Sequence, residues 1–172
     1  CRKSDDMMKK RVVGSISSWF CIPEQGMKEL EILSRGSCFL IPSKSGNNEP
    51  KYHVLTASHI VAPWRWPRLY PDEWLKHLNE THTHYTMELR HPDGTFIMQN
   101  ELLSESFHHA TRDMAALHLE EELSAFKLLN SLEFSSLELA TEEPMPGVEL
   151  TFHGHTVTGP IAEDGTDERR PV

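Results

Sequence analysis

The sequence predicts an all-β fold, on three observations. Short runs rich in Val, Ile, Leu, Phe and Tyr recur along the chain, among them Val12 to Ile22, Cys38 to Ile41 and Tyr52 to Thr56. Turn chemistry punctuates them, at Pro23 with Glu24-Gln25-Gly26, at Pro42, and at His91-Pro92-Asp93-Gly94. Helical spacing is confined to a few short stretches.

Taken in order, residues 1–11 are polar and basic and read as a tail. Val12, Val13, Ile16, Trp19, Phe20 and Ile22 make the first strand. Leu30 to Leu33 leads through Arg35-Gly36-Ser37 into the run Cys38-Phe39-Leu40-Ile41. The polar stretch Ser43 to Glu49, centred on Gly46-Asn47-Asn48, is a hairpin-type loop before the strand Tyr52 to Thr56. Ala57 to Ala62 has room for a single helical turn before Pro63. Residues 62–81 read as an aromatic and helical insertion, in which Pro71 opens a short helix over Asp72 to Asn79 with Trp74, Leu75 and Leu78 on one face. Tyr85 to Arg90 and Thr95 to Leu103 pair across the Asp93-Gly94 turn. Asp113 to Glu120 is a further strand in which Met114, Ala116 or Leu117 faces the core. Glu120 to Asn130 has helical spacing, Gly147 to His155 is a last strand, and 161–172 is a charged tail.

Composition excludes several classes of function. The 172 residues carry 17 Lys and Arg against 26 Asp and Glu, a formal charge of -9. Non-specific nucleic-acid binding needs clustered cations to neutralise phosphates, and the basic cluster here is Lys9-Lys10-Arg11. Apolar runs are far shorter than the roughly 20 residues that span a bilayer, so neither nucleic acid nor a membrane span is expected. Cys1, Cys21 and Cys38 form an odd, widely spaced set with no disulfide or zinc spacing, which favours a reducing or organellar compartment, mitochondrion or cytosol, over secretion. The chain begins with Cys, so an upstream segment is expected to have been removed or to lie outside this sequence, which leaves a targeting peptide open.

The chemistry concentrates at Val54-Leu55-Thr56-Ala57-Ser58-His59. A strand ending on a small-residue turn presents its imidazole at a barrel rim, where it can act as a general base. Asp113, just ahead of an apolar strand, can be buried against that ring, fixing its tautomer and stabilising the imidazolium.

These strings resemble the first barrel of trypsin-like serine peptidases, nearer the HtrA-type branch than the secreted digestive one. Gly36-Ser37-Cys38-Phe39-Leu40-Ile41 is similar to the family's Gly-Ser-Gly-Phe strand, and Val54 to Val61 to the strand ending in the catalytic His. The Asp93-Gly94 turn and Asp113-Met114-Ala115-Ala116-Leu117 resemble the hairpin and the catalytic Asp strand. Pro146-Gly147-Val148-Glu149-Leu150 with Phe152-His153-Gly154 resembles entry into the second barrel. The resemblance implies a trypsin-like six-stranded antiparallel barrel over 12–130, the start of an incomplete second barrel over 131–160, and His59 with Asp113 as base and orienting acid.

Several positions depart from the pattern. Cys38 stands where the family has Gly, and Ile60 follows the His where secreted members carry a Cys. The family's nucleophile sits in a Gly-x-Ser-Gly-Gly setting, whose glycines permit the strained turn and the oxyanion hole. Ser124, Ser131, Ser135 and Ser136 follow Asp113, none beside a glycine. A complete second barrel needs roughly another 60 to 80 residues by ordinary domain sizes. Two functions follow as expectations: a non-catalytic structural or recognition subunit whose incomplete second barrel a protein partner covers, or the N-terminal portion of an active serine endopeptidase acting on peptides once a missing segment supplies Ser and oxyanion hole.

Other features admit plainer readings. Arg11-Val12-Val13-Gly14-Ser15 resembles a zymogen cleavage site but reads as an ordinary first strand. The pairs His82 with His84, His108 with His109, and His153 with His155 lack an assured third ligand, so no metal and no cofactor is expected. Trp64, Trp66, Tyr70 and Trp74 either anchor a partner or fold the insertion onto the barrel.

Overall fold

Alternation is cleanest in the strand Thr83–Arg90, where Thr83, Tyr85, Met87 and Leu89 are buried and the residues between them are not. That period of two is what a half-buried strand requires. The computed structural model describes residues 13–42, 52–90, 95–119, 141–149, 155–157 and 169–171. Six strands are β1 (Val13–Phe20), β2 (Glu31–Pro42), β3 (Tyr52–Thr56), β4 (Thr83–Arg90), β5 (Phe96–His108) and β6 (Ala115–Leu119). They close into an antiparallel barrel in the order β1-β2-β3-β6-β5-β4, with β1 paired to β4. Closure leaves this sheet no unpaired edge.

The barrel interior is filled by Ile16, Cys38, Leu40, Val54, Tyr85, Met87, Leu89, Met98, Leu102, Ala115, Leu117 and Leu119. Ile60 and Val61, from the single helical turn α1 (Ser58–Val61), plug one end. A second cluster of Phe20, Ile22, Leu75 and Leu78 packs the insertion against the end of β1. Among the described residues no helix is long and apolar enough to cross a membrane.

Two glycines let the backbone approach these layers closely. A Cβ on Gly36 would lie 2.8 Å from Cγ1 of Ile60, and one on Gly14 would lie 2.9 Å from Sγ of Cys38 and 3.2 Å from the Glu88 carbonyl. Gly36 thus makes room on β2 for the turn that carries His59.

Several elements differ from their sequence expectations. Glu31 to Leu33 of the run Leu30–Leu33 and the run Cys38–Ile41 are parts of one strand, β2, because Arg35-Gly36-Ser37 stays in register opposite Ser17, Ile16 and Ser15. β5 runs past Leu103 to His108: pairing shifts between Leu102 and Ser106, and the bulge there, where Leu103, Ser104 and Glu105 are all exposed, hides the alternation. In β6 the buried residues are Ala115, Leu117 and Leu119, whereas Met114 is exposed. The helix expected over Asp72–Asn79 is a 3-10 turn over Glu73–His77. Gly147 has φ +89°, a turn conformation, and the described residues 147–149 form no strand. Within the expected tail 161–172, β8 (Arg169–Pro171) pairs antiparallel with β7 (His155–Val157). The 1–11 tail, the loop over 43–49, the turn at 91–94 and the helical spacing over 120–130 lie outside the described residues.

Substituting Gly36→Val should force Ile60 off its seat and destabilise the protein by about 1–3 kcal/mol, measured by urea unfolding. An unchanged midpoint would show that β2 and α1 do not meet this closely.

Candidate active site at the barrel rim

His59 lies in α1 immediately after β3, and hydrogen bonds from the surrounding strands fix that end of the barrel. Ser18 Oγ on β1 donates to the Ile60 carbonyl at 2.6 Å, and Tyr85 Oη on β4 donates to the Val61 carbonyl at 2.9 Å. Ala62 N–H closes the turn onto the Ser58 carbonyl at 2.9 Å, after which Pro63 ends it. Thr56 Oγ1 ties the end of β3 to the Ser37 carbonyl at 2.9 Å. Burial raises the Tyr85 hydroxyl above its ordinary pKa, so it stays a neutral donor.

Asp113 arrives from the loop between β5 and β6. The register of β3 with β6 sets Thr56 opposite Ala115, which brings the loop beside the turn. His109 organises that loop: its Nδ1 accepts from the backbone N–H groups of Thr111 at 3.2 Å and Arg112 at 3.1 Å, while its own N–H donates to the Met114 carbonyl at 2.9 Å.

Both expected groups meet here. Asp113 Oδ2 lies 2.5 Å from His59 Nδ1, and Asp113 Oδ1 accepts the His59 backbone N–H at 2.9 Å. The carboxylate therefore holds both the ring and the backbone of one residue, which fixes the position of the imidazole. Among the described residues Nε2 makes no hydrogen bond, and the ring keeps 27% of its side-chain surface accessible. Burial pushes the Asp113 carboxyl up, but the hydrogen bonds from the His59 ring and backbone, the His59 charge and the Ser58 backbone N–H outweigh it and hold it below the usual carboxylate range.

The four aromatics are placed around this pair in different ways. Tyr70 lies with its ring centroid 6.1 Å from that of His59, and both Tyr70 and Trp64 pack on the second apolar cluster. Trp66 Nε1 donates to Ser58 Oγ at 3.2 Å. Trp74 packs against Phe20 at 5.1 Å between centroids and is 44% exposed. The insertion thus builds one wall beside the imidazole.

Sequence reading considered His108 only beside His109, as a possible metal-ligand pair. Its Nδ1 lies 2.6 Å from Ser58 Oγ and its Nε2 lies 2.9 Å from Ser106 Oγ, so it is part of a polar chain behind the turn. The signal was present in the alternation Ser106-Phe107-His108, which puts Ser106 and His108 on one face of β5. The other histidine pairs are engaged separately: His82 Nδ1 accepts the Asn79 N–H at 3.3 Å, and His84 lies 3.8 Å from Glu101. His153 lies outside the described residues, as does the side chain of His155. Among the described residues no group of three or more His, Cys, Asp or Glu side chains is placed to hold a metal. Cys38 is buried, which pushes its thiol pKa up and removes it as a nucleophile, and Cys21 is a free thiol half-buried under Met27.

Comparison with protein-family models, with curated proteins and with solved structures finds no match to this chain.

A carboxyl held low in the folded protein stabilises it while ionised. The contribution is complete above the unfolded value of roughly 4 and is lost as pH falls through the lower folded value. Asp113→Asn should therefore flatten the fall of the thermal midpoint between about pH 5 and 3. At pH 7 the variant should be less stable by about 1 kcal/mol, a modest figure because the carboxylate is partly open to water. Parallel acid profiles for the two proteins would contradict the assignment.

Proposed function

We propose that this chain is a trypsin-like barrel contributing the general base His59 and its orienting acid Asp113 to a serine-peptidase-type site. The two-point grip of the Asp113 carboxylate on the His59 ring and backbone carries the reading. With Nδ1 committed to the carboxylate, Nε2 is the nitrogen left to take a proton from a hydroxyl and return it to a leaving amine. Asp113 stays ionised and stabilises the imidazolium between the two transfers.

Hydrolysis requires a Ser nucleophile and backbone oxyanion donors, and none of the serines after Asp113 stands in the glycine-rich setting those parts need. On this reading the remaining parts come from a second barrel-like body that packs beside the dyad. Exposed apolar residues flank it: Phe107 is 53% accessible, and Met114, next to Asp113, is 41% accessible. A surface of this kind is expected where another folded body docks. Without that body the barrel serves as a structural or recognition module and cleaves nothing, because removing the nucleophile and oxyanion hole costs many powers of ten in rate.

The test is covalent labelling of the native protein, taken from its source with whatever chain or partner accompanies it, by a fluorophosphonate. The expected result is an adduct on a Ser outside residues 1–172, abolished by His59→Ala. Absence of labelling in native material, or labelling indifferent to His59→Ala, would overturn the catalytic reading.

A further inference from the structure

Behind the dyad runs a second, half-buried polar chain. The Trp66 indole N–H is a donor only, so Ser58 Oγ must accept from it. Ser58 is buried, and its single hydroxyl hydrogen then points at the neighbour 2.6 Å away, Nδ1 of His108. Nδ1 is thereby an acceptor, which leaves the ring proton on Nε2 to be donated to Ser106 Oγ at 2.9 Å. The three hydrogen bonds through Trp66, Ser58, His108 and Ser106 thus run in one direction. Burial of Ser58 excludes it as a nucleophile towards any substrate.

Ser58 and His59 are the first two residues of α1, and both backbone N–H groups favour the ionised Asp113: the His59 N–H donates to Oδ1 at 2.9 Å, and the Ser58 N–H helps to hold the carboxyl low. The orientation of this turn therefore decides whether the carboxylate can hold ring and backbone together. The side chain fixing its first residue is that of Ser58, and what fixes Ser58 is His108 on β5. The two extra residues of the bulge between Leu102 and Ser106 bring His108 to this point.

We infer that His108 is a positioning residue for the His59–Asp113 pair: as the neutral, Nε2-protonated imidazole it accepts the Ser58 hydroxyl hydrogen and so fixes the turn whose His59 N–H and ring hold Asp113. The importance of that role rests on reading His59 and Asp113 as base and orienting acid, whereas its test requires no hydrolysis. Burial is the largest influence favouring the neutral ring. Arg65, from the turn after α1, adds to it, and Glu80, from the turn before β4, acts the other way. Protonation would put an N–H on Nδ1 against the Ser58 oxygen and deprive the hydroxyl hydrogen of its acceptor.

The experiment is NMR on the 172-residue chain, following amide hydrogen exchange at Ser58 and His59 and the downfield proton between His59 Nδ1 and Asp113. In His108→Phe both amides should exchange at least about tenfold faster and the downfield proton should broaden or vanish. His108→Gln should restore both, because its carbonyl can accept from Ser58 and its amide can donate to Ser106. In the native chain protection of these amides should fall as His108 is titrated below about pH 6.5, and His108→Gln should abolish that step. A folded Phe variant with native exchange and an intact downfield proton would overturn the inference. Should the Phe variant not fold, survival of the native pH step in His108→Gln would overturn it equally. A failed fluorophosphonate experiment leaves these amide measurements unaffected, so the two results are distinguishable.

Discussion

A carboxylate that holds one histidine by both its ring and its backbone sets the tolerance for everything else in this molecule. Asp113 can reach His59 in this way only if β3 and β6 are neighbours in the register that sets Thr56 opposite Ala115. That adjacency in turn requires the sheet to close, because β6 sits between β3 and β5 in a barrel completed by the pairing of β1 with β4. The apolar interior supplies the driving force for closure. The polar bonds from Ser18 and Tyr85 decide where the turn comes to rest.

The barrel was largely legible in the sequence because its signals are local. Alternation in Tyr85 to Arg90, the apolar run of Tyr52 to Thr56 and the punctuation at Pro23 and Pro42 need no tertiary information to interpret. Where the reading departed from the structure, the cause was a non-local contact. β5 continues through an exposed bulge only because β6 is there to receive Ser106 and His108. β8 pairs with β7, the strand that precedes it, and nothing in the charged composition of its own segment announces a strand. The insertion carries a 3-10 turn where a short helix was expected, with Leu75 and Leu78 in one apolar cluster with Phe20.

The site was legible in part, for a similar reason. His59 and Asp113 stand on recognisable strings, and the structure brings them into contact. The residues that hold them are less visible: Ser58 looks like filler in a small-residue turn, and His108 and His109 look like a metal-ligand fragment. Their hydrogen bonds assign them different work, one behind the His59 turn and one inside the Asp113 loop. The aromatic insertion was open between partner binding and packing. Trp64 and Tyr70 lie against the second cluster, Trp66 is tied to Ser58, and Trp74 retains an exposed face.

The central physical claim is that the carboxylate of Asp113 dictates which nitrogen of His59 bears the proton, leaving the other for acid–base work. The ring ¹⁵N chemical shifts and two-bond couplings of His59, recorded on the neutral imidazole, read this directly. The account predicts a protonated Nδ1 and an unprotonated Nε2. A ring found mainly in the opposite tautomer would contradict it.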